Sequence, residues 1–319
     1  DLLRDLPPAV NTMWFPYHYA LDEKTGVPLQ QLWRCRIVRW ADGWAWRFPV
    51  HEDLFPIGGC RPTPFYNSGV VVVHKTDVDF SAKTARNLRI LMRAYESATT
   101  PVSYQTLYGI GAGLLDQGRP NEAIVWLQRA IDSGAGEEER FIYQLQISTA
   151  HLQLGAYDKA ESVALQAMAW FPDRPVGYLM VGEVLVASRQ FPRARLWLEM
   201  GLAVPAPTLY VSDQPAIRMG FYRAALADCC LNLGDFAAAV TAAEAAVKAS
   251  SHPYPVSVLR LCKDAYTRHR VFTAWNTCVR HAIDTGDVQA ALVMTSMPPV
   301  EIEDSSAVMI LRAEAEATR

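Results

Sequence analysis

The 319-residue chain is half apolar and one-fifth charged, with a formal net charge of −3, a balance that excludes broad electrostatic binding to nucleic acid. No apolar run reaches the roughly 20 residues needed to span a bilayer, and the acidic opening at Asp1–Asp5 does not read as a secretory signal. Six cysteines, none in a C-x-x-C pair, fit buried thiols in a reducing cytoplasm rather than a disulfide framework or a zinc ribbon.

Composition changes near residue 80. Residues 1–80 hold 13 of the 33 aromatic residues and the β-branched run Val70–Val73, which predicts strands and irregular loops. Met13–Ala20 reads as a first strand. Asp22-Glu-Lys-Thr-Gly26 has the chemistry of a reversing turn, and Leu29–Trp40 reads as a second strand. Asp42-Gly43 between Arg36–Trp40 and Trp44–Phe48 predicts a tight aromatic hairpin, because glycine supplies the positive φ of a primed turn. A Pro/Gly-rich loop is expected over Pro49–Tyr66, then a short strand over Gly69–His74. Ala82–Ser97 reads as a helix with Leu88, Leu91 and Met92 on one face.

Residues 101–319 are rich in Ala, Leu, Gln, Glu and Arg and carry a repeat. The turn residues are Gly118, Gly155, Arg189, Gly234 and Gly286. Five positions later each is followed by alanine: Ala123, Ala160, Ala194, Ala239 and Ala291. Twelve positions later stand Ala130, Ala167, Gly201 and Ala246, with Pro298 breaking the rule. Seven positions before lie Gly111, Ser148, Gly182, Ala227 and Val279. Small residues at fixed offsets let paired antiparallel helices approach closely. Successive turns are 37, 34, 45 and 52 residues apart, and 34 is the period of tetratricopeptide repeats. Residues 101–250 therefore resemble a tetratricopeptide (TPR) array, with Leu154-Gly-Ala-Tyr157…Ala160…Ala167…Pro172 as the fullest match. The 45-residue spacing holds an insertion, Val204–Ala216. The 52-residue spacing leaves room for an extra helix, Val256–His269.

The chemistry-bearing residues of the first part cluster at His51-Glu52-Asp53, His74 and Asp77-Val-Asp79. A carboxylate at Glu52 or Asp53 can act as a general base toward an acceptor hydroxyl; a polar turn is the plain alternative. His74 ends a strand, where a histidine serves as a metal ligand or as a hydrogen-bonded structural group. Asp77-Val78-Asp79 has the form that holds a divalent cation on carboxylate oxygens, or it caps the helix that follows.

The order of pieces resembles the rear half of family 2 glycosyltransferases of the GT-A fold, in which repeats commonly follow the catalytic domain. The matching residues are Tyr19, Asp22, Gly26, Val50-His51-Glu52, His74 and Ala85-Arg86-Asn87-Leu88. The resemblance implies a mostly α protein: a TPR-type α-solenoid preceded by a partial α/β unit with a few strands. Residues 1–80 would be the glycosyltransferase segment, 81–100 a connecting helix and 101–319 the repeat domain. It further implies sugar transfer from a nucleotide-sugar donor to an acceptor, with Glu52, Asp53 and His51 in the catalytic motif. His74 would help hold a divalent metal (Mn or Mg), expected only where the nucleotide-binding half is present and otherwise absent. The nucleotide-binding units of that family would lie upstream of Asp1.

The competing reading is a non-enzymatic TPR scaffold whose groove takes a partner protein or peptide. Lysine is scarce in the repeats (Lys159, Lys248, Lys263), which argues against a lysine-built clamp for a C-terminal carboxylate. Arg223, Arg260 and Arg268 would serve either as sites for acidic groups or as plain solvated side chains.

Overall fold

A computed structural model describes residues 6–21, 28–39, 41, 43–50, 53–57, 59, 61–73, 80–205, 215–250, 253–299 and 306–318. Six strands come first: β1 (Thr12–Leu21), β2 (Pro28–Val38), β3 (Trp44–Arg47), β4 (Asp53–Pro56), β5 (Pro64–Tyr66) and β6 (Val72–Val73). Twelve helices follow among the described residues. They are α1 (Phe80–Glu96), α2 (Tyr104–Asp116), α3 (Pro120–Asp132), α4 (Glu137–Gln153), α5 (Tyr157–Trp170) and α6 (Pro175–Ala187). The rest are α7 (Phe191–Ala203), α8 (Pro215–Asn232), α9 (Phe236–Ala249), α10 (Pro253–Asp284), α11 (Val288–Ser296) and α12 (Ser306–Ala317).

Every expected repeat turn closes a helix in the same way. Gly118, Gly155, Arg189, Gly234 and Gly286 all have positive φ, between 60° and 78°. After each, the next N–H reaches back to a carbonyl five residues earlier. Arg119 N–H bonds Leu114 O at 2.9 Å, Ala156 bonds His151 at 2.9 Å, Gln190 bonds Leu185 at 2.8 Å, Asp235 bonds Cys230 at 2.9 Å and Asp287 bonds Ala282 at 2.8 Å. This is the Schellman closure, which satisfies the orphan carbonyls of a helix end through one left-handed residue. The second helix of the pair then starts at once. Asp235 and Asp287 cap two of these starts by accepting from Ala238 N–H and Ala290 N–H. Proline opens α3, α6, α8 and α10, where its missing N–H costs nothing.

The small residues sit where the repeat places them. Ala123, Ala160, Ala194, Ala239 and Ala291 are fully buried, as are Ala130, Ala167 and Ala246. The residue seven before the turn faces the residue nine after it, and the two trade volume. A Cβ added to Gly111 would lie 2.7 Å from Leu127 Cγ, and one added to Gly182 would lie 2.6 Å from Leu198 Cγ. At the same two offsets the second pair has Ser148 and Ala164, the fourth has Ala227 and Ala243, and the fifth has Val279 and Thr295, all buried. Glycine stands opposite leucine, and the other pairs match two smaller or middling side chains. The helix separation is thereby held while composition varies. Ser148 keeps its hydroxyl satisfied by donating to Ala160 O at 2.8 Å.

α1 joins this array by packing on α2. Its Leu91 and Leu88 lie against Gly109 and Gly113, where added Cβ atoms would stand 2.9 and 3.3 Å away. Glycines on one side of α2 thus admit α1, and Gly111 admits α3. Between the second and third pairs, Arg174 is 8% exposed. Its guanidinium lies 4.2 Å from the Phe171 ring centre and 5.4 Å from that of Phe141, and it pairs with Glu138 at 2.6 Å. The long stem fills the seam and the cation stays neutralised at its mouth.

The strand region departs from expectation in several places. β1 and β2 form the expected long antiparallel pair. Asp42 lies outside the described residues, and no pairing joins β2 to β3 among those described. β3 instead pairs antiparallel with β4, Trp44 opposite Pro56 and Arg47 opposite Asp53. Trp44 is buried with its indole N–H donating to Arg39 O at 2.9 Å, and the chain turns away from β2 at Gly43. The expected loop Pro49–Tyr66 contains β4 and β5. The expected strand Gly69–His74 shrinks to Val72–Val73, and His74 lies outside the described residues. β5 and β6 both run parallel to β1. Asn11 anchors this crossover by donating to Arg61 O at 3.0 Å and accepting from Thr63 N–H at 2.6 Å. The turn Asp22–Gly26 and most of the insertion Val204–Ala216 also lie outside the described residues.

A second correction concerns Val256–His269, which is not a separate helix. It is the front half of the continuous α10, because no glycine or proline interrupts the sequence between Pro255 and Gly286. The front half packs on α8 and α9, and the rear half on α11 and α12.

Candidate functional site: the inner face of the solenoid

The site residues expected from the sequence do not assemble into a describable site. His51, Glu52 and His74 lie outside the described residues, as do Asp77 and Asp79. Asp53 opens β4, and its side chain is likewise outside the description. Their surroundings are partly visible. Phe48 and Phe55 meet edge to face at 5.5 Å, Arg47 lies 5.0 Å from the Phe55 ring centre, and Val50 packs against the first solenoid cluster beside Leu88 and Leu114. Among the described residues, no three His, Cys, Asp or Glu side chains group as a metal ion would require. Nor is any described helix long and apolar enough to cross a membrane. Of the three arginines singled out in the repeats, Arg223 is half-buried and Arg260 and Arg268 are exposed.

The solenoid itself presents a site. The first helices of successive pairs, α2, α4, α6 and α8, touch in series and continue onto the front of α10. The second helices have no comparable contacts with one another. The layer with the closer neighbours is the inner one, so the first helices line the concave side. In the first four pairs the residue six before the turn recurs on that side: Ala112, Thr149, Glu183 and Asp228; the fifth pair has Arg280 there, paired with Glu314 of α12. Thr149 Oγ1 lies 3.9 Å from Met180 Sδ across the α4–α6 seam. Phe221 at the front of α8 stacks on Tyr254 of α10 at 5.4 Å with the rings 22° apart.

Charge is uneven along this face. Burial raises the Asp228 carboxyl above the ordinary carboxylate range, against the pull of a hydrogen bond from Asn232 and of the Arg189 cation. Burial also holds the Tyr254 phenol up, followed by the fields of Asp228 and Glu183. Tyr254 of α10 therefore lies in the field of one carboxylate on α8 and one on α6. The neighbouring thiols are inert: burial raises Cys229 to about 12 and Cys262 to about 11, far above a reactive thiolate. None of these groove residues was singled out from the sequence. The signal was present, because Thr149, Glu183 and Asp228 share one repeat offset, just as the buried alanines do.

Residues 222–253 match the family model of the tetratricopeptide repeat. This segment contains the back of α8, the turn at Gly234 and α9. Three solved structures are similar over much of their length. The crystal structure of MamA gives a TM-score of 0.40 at 16% identity, covering 55% of this chain and 96% of that one. A thermophilic TPR protein of Thermus thermophilus gives 0.41 at 17% identity, covering 68% and 98%. A tetratricopeptide repeat protein of Parabacteroides merdae gives 0.41 at 12% identity, covering 74% and 93%. No curated protein sequence matches the chain. The repeated turns and the matched segment together make the helical part a TPR-type α-solenoid, preceded by a few strands.

Proposed function

We propose that this chain is an interaction scaffold whose solenoid groove holds a segment of a partner protein. The observation that carries the reading is the repeat geometry itself. Five turns of one construction set the first helices side by side and leave a continuous inner face of mixed apolar, aromatic and acidic character. Such faces take helical or extended peptides. Nothing in the family match supports the glycosyltransferase reading. One feature keeps it as a second proposal: the parallel pairing of β5 and β6 with β1 is crossover topology, as in α/β domains, ahead of a repeat array. Under that reading Glu52 would act as base and His74 would hold a divalent metal near the donor diphosphate.

The scaffold is tested by selecting binders from a random peptide display library on the immobilised chain. Enriched peptides should lose at least about tenfold in affinity, equivalent to 1.4 kcal/mol, when Ala187→Trp places bulk at the exposed end of α6 in the groove. A library that returns no enriched sequence contradicts the scaffold. For the second reading, in a protein that also carries the upstream nucleotide-binding units, Glu52→Gln should abolish transfer while leaving nucleotide-sugar binding nearly intact; unchanged turnover contradicts it.

A further inference from the structure

We infer that one face of the strand sheet is a second binding surface, which takes a proline-rich segment of a partner protein in the polyproline II conformation. It lies on β1, β2 and β5, apart from the solenoid groove, and does not depend on what the groove holds. The first ground is placement. The register sets Pro16 opposite Trp33, and Trp14 opposite both Cys35 and Tyr66. Side chains alternate along a strand, so Trp14 and Pro16 share a face, and Trp33 and Tyr66 share it with them. β2 and β5 flank β1 on opposite edges, which sets their backbones roughly 9–10 Å apart. The ring centres of Trp33 and Tyr66 nevertheless stand only 5.2 Å apart. Both side chains therefore lean inward over β1, where Trp14 meets Tyr66 at 6.1 Å. This cluster is not a core. Tyr66 is 55% exposed, and both tryptophans are half-buried. Large rings held against one another and left open to water mark an interaction surface.

The second ground is ring geometry, which narrows the ligand. Trp33 and Tyr66 stand at 87° to each other, so their free faces form a step. A pyrrolidine ring is compact and convex and fills such a corner with C–H groups on both walls. Aromatic-lined surfaces take proline-rich segments in this way, because the polyproline II helix is already formed and loses little entropy on docking. A cage for a cation needs ring faces held apart around the charge, and these rings are in contact.

The third ground is hydrogen bonding and charge. The Trp14 indole N–H is taken up by Thr12 Oγ1 at 3.2 Å. The Trp33 indole N–H and the Tyr66 hydroxyl have no hydrogen-bond partner among the described residues. An indole N–H only donates. A proline-rich segment suits it, since each proline offers a carbonyl and no N–H and the polyproline II backbone makes no internal hydrogen bonds. Among the described residues the register places no Asp, Glu, Lys or Arg on this face. Arg34 pairs with Phe15 on the opposite face, and Arg36 lies over Tyr17 there. A phosphate-bearing chain would find no cation here, and the donating hydroxyls of a saccharide would find no carboxylate. An uncharged, acceptor-rich segment fits both tests.

The test uses the full chain, labelled decaproline and a labelled glycine–serine peptide of the same length. Fluorescence anisotropy should show decaproline binding at least about tenfold tighter than the glycine–serine control. Tyr66→Ala, checked by circular dichroism, should lose at least about tenfold. Trp33→Phe keeps a ring and removes only the N–H, and should lose about threefold or more. Where Tyr66→Ala disturbs the fold, Trp33→Phe decides by itself. Trp170→Ala, which removes an exposed ring on α5, and Ala187→Trp in the groove should both leave decaproline binding unchanged. No decaproline binding up to about 1 mM, equal binding of the two peptides, or affinity unchanged by the strand variants overturns the inference. Displacement of decaproline by a glucan hexasaccharide would give the face to sugars and overturn it as well. Loss of decaproline binding in Ala187→Trp but not in Tyr66→Ala would move the proline segment to the groove, which overturns this surface and leaves the scaffold standing.

Discussion

The solenoid and the strand region are built by opposite means. In the solenoid each pair closes through bonds only five residues apart, and its packing partners are one helix away. A rule satisfied once is satisfied again at the next turn, 34 to 52 residues later. In the strand region the decisive bonds are long-range: Asn11 ties to Arg61 and Thr63 across 50 and 52 positions, and β5 reaches β1 only after β3 and β4 have paired elsewhere. The order of burial differs too. Trp46, Ile57, Tyr66, Val70, Val71 and Val73 are exposed, with no repeated rule behind them, whereas the first four helix pairs, which also expose large side chains such as Trp170, Leu196 and Met200, bury every residue at their three small-residue offsets. Local redundancy makes the array self-specifying, while the strand region depends on a few distant contacts.

The sharpest way to break this contrast is to attack the volume trade. Gly182→Val should overpack the third pair against Leu198 and cost about 1–3 kcal/mol. Adding Leu198→Ala should recover part of that loss, a coupling of roughly 0.5 kcal/mol or more by double-mutant cycle in chemical denaturation. Strict additivity would show that the two offsets do not share one space. Next in size, Arg174→Ala removes the side chain that fills the seam between Phe141 and Phe171. The expected loss is about 1–3 kcal/mol in the same assay, and an unchanged midpoint would mean the seam repacks.

Smaller and opposite in sign, Arg189→Gly should stabilise the chain by about 0.5–1 kcal/mol. A left-handed residue at this turn is cheap only for glycine, and the other four turns have it. A lower melting temperature in that variant would show that the Arg189 charge matters more than its backbone. Smallest of all, Val70→Ser and Val71→Ser on the exposed strand surface should shift stability by less than about 0.5 kcal/mol. Reduced self-association by light scattering is the expected visible effect, since exposed apolar patches promote contact. A large loss of stability would place those side chains in a core and erase the contrast.

How much was legible follows the same division. The turns, the buried alanines and the pairing of α2 through α9 could be read because their causes lie within a few residues: a left-handed glycine, a small side chain, a proline at a helix start. Trp44 shows the opposite. The Asp42-Gly43 signal was local, yet the pairing of β3 was decided by β4, which follows it in the chain. α10 shows a third kind of miss, because a long spacing was filled with a separate helix where no residue existed to break it. In the groove, Glu183 and Asp228 repeat like the core positions, but a core position announces itself by size. An inward-facing position varies with its ligand, and only its offset marks it. The expected catalytic group at His51, Glu52, Asp53 and His74 rested on resemblance, with no repeated or periodic pattern behind it.

Amide hydrogen exchange on the full chain, with and without a peptide selected from the display library, tests the central claim most directly. The account predicts slow exchange across α2 to α9 in the free chain, and added protection on binding concentrated in α6, α8 and the front of α10. Protection that instead appears on α3, α5 and α7, or only on β1 to β6, would contradict a groove-binding scaffold.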